Sequence, residues 1–173
     1  MSVTALVTPR IYVACLASYN NGILHGQWID ADQDAEDIYE EIQKMLKQSP
    51  MPGAEEWAIH DYEGFEDIQL SEYESIEKIA YLSEMIDKHG KAFAAYVSYQ
   101  GLEYAQEDGF EDSYAGTYKS EQDFGYEIAK ECLTIPESIE VYFDYEAYTR
   151  DLFLSDYYSI TDDEHNVHVF RHV

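Results

Sequence analysis

Basic residues are scarce in this chain: 10 Lys plus Arg stand against 36 Asp plus Glu, a formal net charge of −26 at pH 7 over 173 residues. That shortage excludes attachment to nucleic acid or to an anionic membrane through a basic patch, because both need clustered cations. Cysteine is almost missing too. Cys15 and Cys132 sit among apolar or helix-forming neighbours and read as small buried thiols in a reducing compartment, not as a disulfide. No run of 18 apolar residues occurs, so no membrane-spanning helix is expected. The stretch Met1 to Pro9 lacks the basic start and long apolar centre of a signal peptide, which points to a soluble, cytoplasmic protein. GxGxxG, GxxxxGK[ST], GxSxG and HExxH are all absent. Nothing in the sequence argues for catalysis or for a cofactor.

What the chain has in quantity is aromatic carbon. Hydrophobic residues make up 46%, with 17 Tyr, 7 Phe and 2 Trp. Disordered acidic segments are poor in aromatics, so the acid here is carried on a folded scaffold. Self-repulsion at this charge opposes compaction, which makes a cationic partner the natural reason to retain it.

Periodicity predicts an α+β chain. Arg10 to Tyr19 reads as a strand, Asn20-Asn21-Gly22 as a turn, and Ile23 to Asp30 as the returning strand. Ala35, Ile38, Ile42 and Met45 recur at helical spacing, capped by Asp32 or Asp34. Glu55 to Tyr62 resembles a third strand. Ser71 with Glu74 fits a capping box before a helix that stops at Gly90, and Lys91 to Gln100 continues as a second helix. Phe110 to Tyr118 reads as a short strand, and Ser120 with Asp123 opens another helix through Phe124, Ile128 and Cys132. Pro136 suits a first helical position, and Tyr157 to Ile160 with Val167 to Arg171 reads as a closing hairpin over Asp162 to Asn166. This gives an N-terminal α/β module at 10–63, a helical middle module at 64–102 and a C-terminal α/β module at 103–173.

The charge is unevenly placed. Residues 30–77 hold 16 acids and 2 bases, residues 78–99 hold 2 acids and 3 bases, and residues 100–164 hold 18 acids and 3 bases. Two acidic stretches therefore flank a nearly neutral spacer. Asp34, Glu36, Asp37, Glu40, Glu41, Glu66 and Asp67 in the first, and Glu103, Glu107, Asp108, Glu111 and Asp112 in the second, are the expected partner-binding carboxylates. At about one charge per 1.7 Å of duplex axis, 26 charges correspond to about 44 Å of DNA, or about 13 base pairs.

Other constellations carry less. Asp30, Asp32, Asp34 and Glu41 match four positions of a calcium loop, but Ala35 stands where the turn glycine belongs and a strand precedes it, so a divalent-cation site is a secondary reading. His165, His168 and His172 fall together on a hairpin surface without zinc spacing, and His60-Asp61 with Glu63 has no nucleophile beside it. The segment Tyr142 to Tyr158 interleaves rings with carboxylates around Arg150. Glu146 and Arg150, four apart, fit an ordinary helical ion pair; equally, Arg150 fits a pairing across a subunit boundary.

The Asn-Asn-Gly turn with Trp28, the segment Trp57 to Tyr62, the segment Phe110 to Tyr118 and Tyr142 to Tyr158 together resemble the ArdA antirestriction family, in order, over about residues 10–171. The resemblance implies a DNA mimic of the kind carried by plasmids and conjugative transposons. Such a protein is a homodimer and not an enzyme, and it occupies the DNA-binding groove of type I restriction-modification enzymes. It also implies an elongated chain of three small modules dimerised through the last, with Tyr142, Phe143, Tyr145, Glu146, Tyr148, Arg150, Asp151, Leu152 and Phe153 in the antirestriction motif near the dimer contact. An acidic module for another basic DNA-binding protein and a halophilic surface are competing readings.

Overall fold

The computed structural model describes residues 7–173, so most of the Met1 to Pro9 stretch lies outside the described residues. The fold is α+β, with two small three-stranded antiparallel sheets, and the chain divides into one unit ending at Gly90 and another beginning at Lys91.

In the first unit, β1 (Arg10–Cys15) lies between β2 (Gly26–Asp30) and β3 (Trp57–Glu63), pairing antiparallel with both. Ile11, Val13 and Cys15, two apart on one face of β1, are fully covered, as the period of a half-buried strand requires. β1 is shorter than the sequence pattern indicates. Leu16–Asn20 forms a helical turn, α1, because Ser18 is buried and its hydroxyl meets that of Ser49 at 2.9 Å, drawing the chain out of the sheet. The backbone N–H groups of Asn21 and Ile23 both return to the Ser18 carbonyl, so a helical turn joins β1 to β2 where a tight hairpin was expected.

α2 (Ala35–Lys47) buries Ile38, Ile42, Met45 and Leu46. Asp34 is its N-cap residue, with no side-chain capping bond. α3 (Ile76–His89) buries Ile76, Ile79, Leu82, Met85 and Ile86. Its cap is Ser75, whose hydroxyl accepts from the Lys78 N–H at 3.1 Å. Ser71 and Glu74 instead close a separate turn just upstream, where Glu74 N–H donates to the Ser71 carbonyl at 3.1 Å. Gly90 ends α3 with φ 59° and ψ −144°, a conformation open only to a residue without Cβ.

The second unit begins with α4 (Lys91–Gln100) and α5 (Glu107–Ser113). The strand expected over Phe110 to Tyr118 is confined to β4 (Tyr114–Tyr118). Phe110 is helical because its ring, 2% exposed, is committed to an aromatic cluster with Phe93, Tyr96 and Phe170. α6 (Glu121–Cys132) starts as the sequence indicated, Ser120 accepting from the Asp123 N–H at 3.1 Å. Pro136 is the N-cap of the short α7 (Glu137–Glu140), one place before the position expected for it. α8 (Tyr145–Ser155), β5 (Tyr157–Thr161) and β6 (Val167–Arg171) complete the unit, and the closing hairpin pairs in register from Tyr157↔Arg171 to Thr161↔Val167.

β6 is the central strand of β4-β6-β5 and is covered on both faces. Val167 and Val169 pack with Phe124, Leu152 and Phe153. His168 and Phe170 point to the opposite face, where the Phe170 ring stacks on Tyr158 at 5.2 Å. His168 is thus not the surface residue that the cluster with His165 and His172 indicated. It is 4% exposed, with Nε2 2.9 Å from Asp162 Oδ2 and Nδ1 3.0 Å from Thr117 Oγ1. Cys15 is buried as expected, but Cys132, at the end of α6, is exposed.

Candidate functional site

Carboxylates define the surface of both units. Apart from Asp162, whose side chain is 6% exposed, the Asp and Glu side chains reach solvent, and all but Glu41, Glu63, Glu74, Glu107, Glu140 and Asp162 are exposed. On α2 the apolar stripe turns Ile38 and Ile42 inward and so sends Glu36, Asp37 and Glu40 outward, where only Glu40 meets a lysine, Lys44 at 3.9 Å. Glu41 is half-buried and accepts from the Gln33 side-chain amide at 2.8 Å, while the same amide donates to the Asp30 carbonyl. That arrangement commits the Glu41 carboxylate to Gln33. Among the described residues, Asp30, Asp32, Asp34 and Glu41 do not gather closely enough to hold a metal ion. Glu66, at φ 52°, and Asp67 stand exposed in the turn after β3.

In the second unit Glu103, Asp108, Glu111 and Asp112 are exposed and Glu107 is half-buried, four of the five lying on α5. Asp108, Glu111 and Asp112 have no cationic partner among the described residues. The few bases are engaged elsewhere. Arg10 pairs with Glu63 and lies over the Trp28 ring, Lys88 holds Glu84 at 2.8 Å, and Lys91 bridges Asp163 and Glu164. Lys130 pairs with Glu140, and that hydrogen bond holds the Glu140 carboxyl below the usual range. The charge therefore remains largely unneutralised, on helices and turns whose apolar sides are spoken for.

The aromatic–acidic segment splits into an inner and an outer set. Asp144 caps α8, accepting from the Ala147 N–H at 2.9 Å. From there the helical period places Thr149, Leu152 and Phe153 toward α6 and the sheet, with Phe153 meeting Phe124 edge-on at 5.7 Å. Phe143, Tyr145 and Tyr148 form a half-buried ring cluster, Phe143 lying 4.7 Å from Tyr145 and 5.8 Å from Tyr148. Burial pushes the Tyr148 hydroxyl up from its ordinary pKa. Tyr142, Glu146, Arg150 and Asp151 face solvent.

Arg150 meets its neighbour Asp151 at 3.2 Å and makes no ion pair with Glu146. It shares with Glu121, Asp144, Glu146, Phe153 and Leu154 a cleft of about 540 Å³. Ile139, Val141, Tyr142 and Leu154 are large apolar side chains left in solvent, at 52%, 82%, 83% and 75% exposure. Ile139, Val141 and Leu154 were not singled out in the sequence. They fall at positions where a helical pattern does not distinguish inward from outward, although an aliphatic residue beside Tyr142 was a legible sign.

The described residues contain no helix long and apolar enough to cross a membrane. Among known protein families, the profile described as antirestriction protein (ArdA) matches residues 11–167. No curated protein sequence matches the chain.

Proposed function

The chain belongs to the ArdA antirestriction protein family, and on that premise we propose that it is a cytoplasmic, non-enzymatic DNA mimic that inhibits type I restriction-modification enzymes by occupying their DNA-binding groove. The observation that carries this reading is the combination of −26 net charge with carboxylates held out on ordered helices and left without cations. A groove built for phosphates carries Lys and Arg, and a folded surface presenting many fixed negative charges offers it the same counter-charges without any base to read. Attraction of that kind is long-ranged, so it speeds encounter and weakens as salt shortens the Debye length to about 8 Å at physiological ionic strength. The binding energy is spread across Asp34, Glu36, Asp37, Glu40, Glu41, Glu66, Asp67 and the Glu103 to Asp112 set. Nucleic acid and membrane are not partners.

The exposed apolar residues of α7, the turn after it and α8 serve a different purpose. Ile139, Val141 and Tyr142, exposed on α7 and just after it, and Leu154, exposed beside Arg150 in the cleft of α8, offer apolar surface that suits contact with a second copy, so that two acidic surfaces act together as a homodimer.

The test is binding to a type I methyltransferase complex at low and at high salt, with duplex DNA as competitor. Mimicry predicts that salt weakens binding and that duplex displaces the protein. Binding indifferent to both would sink the proposal, and binding that weakens with salt but survives duplex would mark an acidic module for some other basic site.

A further inference from the structure

The first unit contains a cleft of about 440 Å³ between the β2–α2 turn and α3, walled by Asp32, Asp34, Glu77, Glu84 and Asp87. Ala31, Ala35 and Ala80 supply small apolar surface between them, beside Gln33 and Tyr81. Glu84 is engaged by Lys88 at 2.8 Å, and Glu77 accepts from the Tyr39 hydroxyl at 3.5 Å. Asp32, Asp34 and Asp87 have no cationic partner among the described residues.

Carboxylates alone are everywhere on this protein; Ser83 sets the cleft apart. It is 3% exposed, yet its hydroxyl makes no hydrogen bond among the described residues. The only fully enclosed side-chain oxygen without a partner among those residues is that of Tyr158, so the Ser83 hydroxyl opens onto the cleft it lines. Buried hydroxyls are normally paired, and an unpaired one facing a cavity is a seat for a ligand donor. Beyond Ser83, Asp32 and Asp87, a narrower recess of about 100 Å³ continues toward Val7, Pro9 and Ile86.

We propose that this cleft binds an aliphatic polyamine: an extended chain with two or more ammonium groups separated by methylenes. A single divalent ion needs its carboxylates converging on one point, and among the described residues those of the cleft form no such group. Separated carboxylates are matched by separated ammonium groups. The methylenes between them cover Ala31, Ala35 and Ala80, the Ser83 hydroxyl accepts from an ammonium N–H, and the apolar recess takes one end of the chain. The volume falls within the range of small-molecule sites, about 300–1,000 Å³. This inference does not depend on the inhibitory reading.

Calorimetric titration with spermidine at about 0.15 M salt, where diffuse attraction is screened, tests it. One saturable site per chain is expected, weakened at least about tenfold in Asp32→Asn/Asp87→Asn, the equivalent of about 1.4 kcal/mol. Asp108→Asn/Asp112→Asn, which removes the same charge from α5 in the other unit, is expected to leave it unchanged. Spermidine should also shift the methyl resonances of Ala31, Ala35 and Ala80 in NMR spectra, and Ser83→Ala should weaken the site without abolishing it. Equal weakening by the two double variants, displacement of spermidine by Mg²⁺ at matched charge, or absence of a saturable site would each overturn the proposal in favour of a diffuse counterion cloud.

Discussion

Gly125 of α6 lies directly against Thr149 of α8, so closely that a Cβ built on the glycine would sit 2.6 Å from the Thr149 Cβ and 2.8 Å from its Cγ2. Thr149 is 1% exposed and its hydroxyl donates to the Tyr145 carbonyl at 2.8 Å, so it has no room to turn aside. On a solvent-facing helix, Gly→Ala stabilises by up to about 1 kcal/mol. Here the sign reverses. Gly125→Ala is expected to destabilise by about 2–3 kcal/mol through overpacking, read as a lowered thermal midpoint, whereas Gln122→Ala on the exposed side of α6 should stay within about 0.5 kcal/mol.

Asp162 organises the closing hairpin. Its carboxylate accepts from the Glu164 and Asn166 N–H groups, both at 2.9 Å, and lies 2.9 Å from His168 Nε2. Burial acts to raise its pKa, but these hydrogen bonds outweigh it and hold the carboxyl below the ordinary value. A carboxyl depressed on folding contributes stability above its unfolded pKa of about 3.9 and loses it as pH falls through the folded value. Urea unfolding of the parent and Asp162→Asn should therefore differ fully at pH 7, and the gap should narrow as pH drops below about 4.

Neutralising the exposed side of α2 with Glu36→Gln, Asp37→Asn and Glu40→Gln removes charge without touching the buried Ile38 and Ile42. Circular dichroism should be unchanged. Affinity for a type I methyltransferase complex at low salt should fall by about tenfold, with a shallower salt dependence, and each single substitution should cost only about twofold to threefold.

Leu154→Asp and Tyr142→Asp place charge on apolar side chains that are 75% and 83% exposed. Folding should be unaffected. Sedimentation velocity should show loss of a dimer, and both variants should bind the target more weakly than the parent because each copy then offers its acidic surface alone. A dimer that survives both changes would place self-association elsewhere.

The two thiols should separate cleanly in reactivity. Cys132 is exposed at the end of α6, whereas Cys15 is fully covered in β1 with its sulfur 3.4 Å from the Ser49 hydroxyl. Maleimide should modify one site on the folded protein within minutes and the second only after denaturation, at a rate that tracks opening of the first sheet.

Where a single apolar period ran unopposed, as in α2 and α3, the sequence carried the element type and its buried face; in α6 and the closing hairpin it carried the element type alone, for Cys132 is exposed and His168 is buried. It failed where side-chain bonds from distant residues intervene. Ser18 leaves β1 because Ser49 is there to meet it, and no local pattern contains Ser49. Phe110 stays helical because three rings from elsewhere surround it. His168 offered the same difficulty: a histidine on a terminal hairpin looks solvated until Asp162 and Thr117 close over it. The exposed carboxylates were legible for the opposite reason, since an acid opposite an apolar stripe has nowhere else to go. The cleft beside Ser83 was not, because its walls come from segments about fifty residues apart and its marker is a hydroxyl that lacks a partner.

β2 and β3 are the outer strands of the first sheet, and the outward backbone of β3 is met at Ile59, whose N–H donates to the Glu72 carbonyl at 2.8 Å; strand edges of this kind are the usual seeds of aggregation. Here the single cation of β1, Arg10, is aligned with Asp30 on one edge strand and Glu63 on the other, and Asp61 adds further charge to β3. Two chains meeting edge to edge would bring acid against acid before any backbone could join. The same placement of charge should therefore act as a colloidal safeguard, keeping the protein dispersed when concentrated at neutral pH, and acidification should release that safeguard before it unfolds the chain.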